Sequence, residues 1–148
     1  MIQRIQSLYI LLSAILMGLL FALPFAEIIQ NNELYVFSFR GIVTQGTVEE
    51  NGLSLALFIG LIMLLHVYTL FCYKKRILQI RLLIFSILLL IGLFGLFYFF
   101  TYYTFGDTAN ISFKIAVVFP LIAVILDYLA IRSIGKDEAL IRSVDRIR

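Results

Sequence analysis

The sequence predicts an all-α integral membrane protein: a four-transmembrane-helix bundle with a short outer β-like loop and a cytoplasmic amphipathic C-terminal helix. Three observations carry this. The 148 residues are 62% hydrophobic and only 14% charged, with a mean hydropathy of +1.04, whereas a soluble domain is roughly half apolar and roughly a quarter charged. The apolar residues gather in four long runs, and the basic residues gather in the segments flanking those runs on one side.

About 20 apolar residues at 1.5 Å rise cross the hydrocarbon core. The expected spans are about 5–26, 53–73, 80–105 and 112–132, within one membrane domain covering 1–148. The outer loop is then 27–52 and the tail 133–148. Four spans leave no room for a soluble catalytic domain. The first span has the basic start of a signal peptide, Arg4, but its apolar run is too long and "ALPFAEI" offers no clean cleavage site, so it is read as a retained helix.

Charge sets the orientation. Arg4; Lys74, Lys75, Arg76 and Arg81; and Arg132, Lys136, Arg142, Arg146 and Arg148 fall on one side, leaving only Arg40 and Lys114 of the 12 basic residues on the other. Short basic loops stay in the cytoplasm, so both termini are expected there, in the cytoplasmic (inner) membrane of a bacterium. The net charge of +3 follows from topology and attraction to anionic lipid; it calls for no nucleic acid.

In the outer loop, Tyr35, Phe37 and Phe39 alternate with Val36, Ser38 and Arg40, a strand-like period. "TQGT" and "EENG" read as turns. One or two short strands are expected over the outer mouth of the helices. Phe97, Tyr98, Phe99, Phe100, Tyr102, Tyr103 and Phe105 crowd the outer end of span three. An interfacial aromatic belt is the plain reading; a seat for an acyl chain is the sharper one.

Within lipid, helices associate through small residues and polar contacts. Span one offers a ridge of Ala14, Gly18 and Ala22, extended backwards through Leu11, Ser7 and Arg4. Span two offers Ala56 and Gly60; span three offers Ser86, Gly92 and Gly95. Span four carries Ala116, Pro120, Ala123, Asp127 and Ala130 at spacings of four and three, with Pro120 expected to kink it. Asp127 is the one formal charge inside a span, and such a charge points inward to a partner. Arg4 on the antiparallel first span is the expected partner in a structural ion pair, with Arg81 the alternative. His66 in span two reads as an interhelical hydrogen-bonding group; a proton relay with Asp127 is the alternative.

The lone Cys72 reads as a small apolar residue at the end of span two. No metal-ligand spacing, phosphate loop or nucleophile motif occurs. The chain is therefore expected to have no catalytic, cofactor-binding or metal residues, no cofactor, and no enzymatic activity.

In the tail, Gly135 interrupts the end of span four. Leu140, Ile141, Val144 and Ile147 line one face, and Arg142, Asp145, Arg146 and Arg148 much of the rest. Asp137 opens an amphipathic helix, and Glu138 and Arg142 form an i,i+4 pair. The span-four stripe also continues in phase through Ile134, Asp137, Ile141 and Val144, so a single long helix is the other solution. So short a helix needs a surface: lipid, a protein partner or a second copy. Asp137, Glu138, Leu140, Ile141, Arg142, Val144, Asp145 and Arg146 are the candidate partner-binding residues.

The start "MIQRIQSLYILLSAILMG" and the end "AIRSIGKDEALIRSVDRIR" resemble those of a family of small bacterial four-span membrane proteins, the domain of unknown function 4293. The resemblance covers the whole chain and is most specific at its ends. It implies a bacterial cytoplasmic-membrane protein and no particular activity, with Gln3, Arg4, Gln6 and the "KDEALIRSVDRIR" tail as its signature. The leading functional expectation is a structural or partner-binding subunit acting through its cytoplasmic face. The alternative is a transporter or lipid-binding protein with a cavity near His66 and Asp127.

Overall fold

The computed structural model describes the backbone of residues 3–30, 33–44, 47–106 and 109–145, with the side chains among them other than those of 3–4, 49 and 141–145. Four α-helices, α1 (Gln3–Leu19), α2 (Leu53–Phe71), α3 (Arg76–Tyr98) and α4 (Phe119–Asp145), pack as a ring in which α1 touches α2 and α4, and α3 touches the same two. Five strands, β1 (Ala26–Gln30), β2 (Glu33–Ser38), β3 (Gly41–Thr44), β4 (Thr47–Asn51) and β5 (Asn110–Phe113), form one antiparallel sheet in the order β4-β3-β2-β1-β5.

The sheet overturns the all-α four-transmembrane-helix bundle. One isolated hairpin is marginal in water, but more strands with an apolar face resting on helices are stable. The outer loop supplies four strands rather than one or two, and the connection between α3 and α4 supplies the fifth, pairing Ala26 with Phe113 and Ile28 with Ile111. Ala26, Ile28, Phe37, Ile42 and the preceding Phe25 are buried in the same cluster as Leu55, Ile59, Leu90, Leu93 and Phe97 of the helices. Sheet and helix ends therefore share one core.

Gly41 makes the β2–β3 corner. Its φ is 103°, and a Cβ there would lie 1.9 Å from the Glu50 carbonyl oxygen. "EENG" is not a turn: Glu50 and Asn51 pair with Ile42 and Gly41 as the end of β4. In "TQGT", Thr47 Oγ1 donates to the Thr44 carbonyl at 2.8 Å, while residues 45–46 lie outside the described residues.

The first span is also corrected. Helix α1 stops at Leu19, and its apolar part, Ile5–Leu19, is shorter than the expected 5–26. Pro24 has no N–H to donate and disfavours helical geometry at Leu23, so the chain turns and Phe25 N–H donates to Phe37 O at 2.7 Å to open the sheet. Among the described residues, three helical segments are long and apolar enough to cross a membrane: Leu53–Phe71, Arg76–Tyr103 and Ile115–Leu140.

Pro120 does not kink α4. A 3-10 turn (Ile115–Val118) leads into the helix and Pro120 is its second residue, where a missing N–H costs nothing. Gly135 does not break it either: α4 runs unbroken to Asp145, the single-long-helix solution. The aromatic belt splits in two. A π-helical turn (Phe99–Tyr103) follows α3. Phe97, Phe100 and Phe105 are buried against the sheet, with Phe97 4.8 Å from Phe25 and Phe100 stacked 5.7 Å from Phe37. Tyr98, Phe99, Tyr102 and Tyr103 remain outside, stacked in two i,i+4 pairs.

Candidate functional site

Each helix, with the turn adjoining it, buries a stripe at alternating spacings of four and three. The stripes are Gln6, Ile10, Ser13, Met17 and Leu20; Leu55, Ile59, Ile62, His66 and Thr69; Gln79, Leu83, Ser86, Leu90, Leu93 and Phe97; and Ala116, Pro120, Ala123, Asp127, Ala130, Ile134 and Asp137. A 3.5-residue repeat is the signature of helices packed at a shallow crossing angle. Outside the stripes, the helices present Leu, Ile, Phe and Tyr: Leu57, Leu64, Phe71, Leu88 and Ile91 are all well exposed. An exposed apolar belt of this extent suits lipid, not water.

The small-residue ridges are only partly on these stripes. Ala14 is buried and a Cβ at Gly18 would meet the Met63 methyl at 3.8 Å, but Leu11 and Ala22 are exposed, and a Cβ at Gly95 would meet nothing within 4 Å. On α1 the inward face is set by the polar Gln6 and Ser13 instead. A polar group facing lipid loses its hydrogen bonds, so it fixes the buried side more firmly than a glycine does.

Where the stripes meet at mid-bundle depth, polar residues divide the core. Ile10, Leu83, Ala130 and Ile134 form one apolar cluster, and Met17, Ile62, Leu90 and Ala123 belong to the other. Between them along the four helices stand Ser13, His66, Ser86 and Asp127, all buried. His66 Nε2 lies 3.0 Å and 3.1 Å from the two Asp127 carboxyl oxygens. Its Nδ1 lies 2.8 Å from the Ile62 carbonyl oxygen. A carbonyl only accepts, so Nδ1 carries a hydrogen. The second proton of the unit then lies between Nε2 and the carboxyl, and imidazolium–carboxylate and imidazole–carboxylic acid have the same net charge of zero. Ser86 Oγ is 3.2 Å from Nε2, and Ser13 Oγ donates to the Ala123 carbonyl at 3.4 Å. What this layer can do is hold one proton between two buried side chains and tie α2 to α4.

The expected partner of Asp127, Arg4, has a side chain outside the described residues, and Arg81 is exposed. The described partner is His66. Sequence reasoning singled out both residues but matched Asp127 by helix level to arginines. Depth along the helices pointed to the layer but not to the partner: Asp127 stands five residues before Arg132 and Ser86, which neighbours His66, five after Arg81, so both sit about 7.5 Å inside the same basic boundary.

A second polar layer closes the core at the basic end. Gln6 Nε2 donates to Asp137 Oδ2, and Gln79 Nε2 donates to the Thr69 carbonyl at 3.3 Å. One residue on, Glu138 Oε2 is 4.0 Å from Arg76 Nη1. The start of α1, the α2–α3 turn and the far part of α4 are thereby joined at one end, opposite the sheet.

The model of one family, described as a domain of unknown function, DUF4293, matches residues 2–147. The chain belongs to the DUF4293 family. No curated protein and no solved structure matches it. In this DUF4293 chain the signature ends meet through Gln6 and Asp137. Of the candidate tail residues, Asp137 is buried by that contact, Glu138 is half-buried beside Arg76, and Leu140 is exposed. The side chains of Ile141, Arg142, Val144, Asp145 and Arg146 lie outside the described residues. Cys72 is a free, half-buried thiol at the end of α2. Among the described residues no group of His, Cys, Asp and Glu could hold a metal ion.

Proposed function

We propose that this DUF4293 chain is a non-catalytic, multi-pass protein of the bacterial cytoplasmic membrane, a structural or partner-binding subunit that works through its cytoplasmic face. In this reading the long apolar helices cross the membrane with α1 packed alongside them, the sheet lies outside, and both ends of the chain are cytoplasmic. The apolar belt supports the membrane placement, and the charge asymmetry of the loops supports the orientation. One observation carries the working face: Asp137 and Glu138 of α4 contact Gln6 of α1 and Arg76 of α3. These contacts make the three basic-end segments one surface and aim the rest of α4 beyond it.

The test is a native pull-down and native mass measurement of the full chain against one ending at Ala139, which keeps Asp137 and Glu138. Loss of a bound protein or of a larger oligomer supports the reading. The same partners and the same mass in both would overturn it.

The transport alternative rests on the buried His66–Asp127 pair. Each residue of that pair satisfies the other, and both side chains are fully buried. The partner-binding reading is favoured on that ground.

A further inference from the structure

We propose that the basic end seats one anionic phospholipid, its phosphate at the start of α3 and an acyl chain along the outer surface of α2. This goes beyond partner binding but rests on the membrane placement proposed above.

Two cavities lie side by side at the α2–α3 turn. One, of about 510 Å³, is lined by Lys74, Lys75, Arg76, Ile77, Leu78 and Glu138. The other, of about 370 Å³, shares Lys74, Lys75 and Leu78 but is otherwise walled by Tyr68, Phe71, Cys72 and Tyr73. The first is cationic and the second mostly apolar, and they share two lysines. That is the division of a phospholipid into phosphate and chain.

The cationic cavity has donors to spare. Arg76 Nη1 is buried and makes no hydrogen bond among the described residues; the nearest acid oxygen, on Glu138, is at ion-pair distance, 4.0 Å. Helix α3 begins there with no side-chain cap and no acid in its first turn, so its first N–H groups and the positive end of its dipole add to the three cations. Glu138 is the one opposing charge, which leaves the cavity lining with a net charge of about two positive units. Lys74 Nζ also lies 5.9 Å from the centre of the Tyr73 ring, drawing the cation towards the apolar cavity. Tyr68 and Phe71 are 55% and 76% exposed, available to a chain lying against α2. A free phosphate would use the same donors but would leave the apolar cavity unfilled.

The test places full-length protein in nanodiscs of zwitterionic phosphatidylcholine containing a minor share of anionic phosphatidylglycerol, and counts retained lipid by native mass spectrometry. Lys74 and Lys75 are exposed, so Lys74→Gln with Lys75→Gln leaves the fold intact. Selective retention of phosphatidylglycerol is expected, weakened roughly 25-fold in that double variant. Arg132→Gln with Lys136→Gln removes as much charge at a separate cavity, lined by Ile5, Tyr9, Leu129, Arg132, Ser133 and Lys136, that shares no residue with these two, and a change of no more than about twofold is expected, since screening confines each charge's effect to its surroundings. Equal loss in the two double variants would overturn the site in favour of general surface potential. Retention without preference for the anionic lipid, or full displacement by millimolar inorganic phosphate, would also overturn it. A chain that does not enter nanodiscs would overturn the membrane placement itself, whereas one that enters without selectivity overturns only the lipid site.

Discussion

His66 on α2 and Asp127 on α4 lie 3.0 Å apart, Nε2 to Oδ2, with both side chains fully buried. These two helices are not neighbours in the ring, each packing mainly against α1 and α3, so the contact braces the helices across their centre. Truncating one partner leaves the other buried and unsatisfied. His66→Ala is expected to cost about 3 kcal/mol, well above the ~0.6 kcal/mol of an average interhelical hydrogen bond in a membrane protein. His66→Leu combined with Asp127→Leu removes both polar groups and should recover most of that loss. Equilibrium unfolding in mixed micelles, followed by helical circular dichroism, measures both. A single-variant cost near the hydrogen-bond average would mean that the brace is idle.

The lower polar layer has a more local role. Gln6→Ala deprives the buried Asp137 carboxylate of its donor, a loss of about 1.5–3 kcal/mol for a hydrogen bond to a charged group. The effect should appear as faster hydrogen exchange over residues 134–140 of α4, with the sheet unchanged. Exchange rising equally in both regions would place the contact in the global fold instead.

Two glycines separate backbone need from helix packing. Gly41→Ala meets both a φ of 103° and the Glu50 carbonyl, and should lose at least about 2 kcal/mol. Gly95→Ala meets no atom within 4 Å, and alanine is favoured in a helix by about 1 kcal/mol. It should unfold no more easily than the parent in the same micelle assay. A destabilised Gly95→Ala would restore that glycine to a packing surface.

The helices were legible because long apolar runs declare themselves by composition alone, and the α4 stripe from Ala116 to Ala130 was legible because small and polar residues recur there at four and three. The sheet was not. β5 is four residues long, and it is a strand only because β1, some eighty residues earlier, offers Ala26 and Ile28 to pair with Phe113 and Ile111. Nothing local announces that pairing. The early end of α1 was written in Pro24 and outweighed by the apolar run around it. Of the site, Asp127 was marked as an inward charge, but choosing among His66, Arg4 and Arg81 needed helix rotation as well as depth. Rotation was visible in Gln6, Ser13, His66, Thr69, Gln79 and Ser86, polar side chains on otherwise apolar helices, and was obscured by weighting glycines and alanines equally with them.

Orientation in the membrane is tested most directly by substituted-cysteine labelling in intact cells, with Cys72→Ala as background. Arg40 at the β2–β3 corner and Lys136 on the outer face of α4 are both exposed, at opposite ends of the molecule. Arg40→Cys should react with a membrane-impermeant maleimide in intact cells, and Lys136→Cys only after permeabilisation. The reverse pattern, or equal labelling of both in intact cells, would contradict a protein whose basic end faces the cytoplasm.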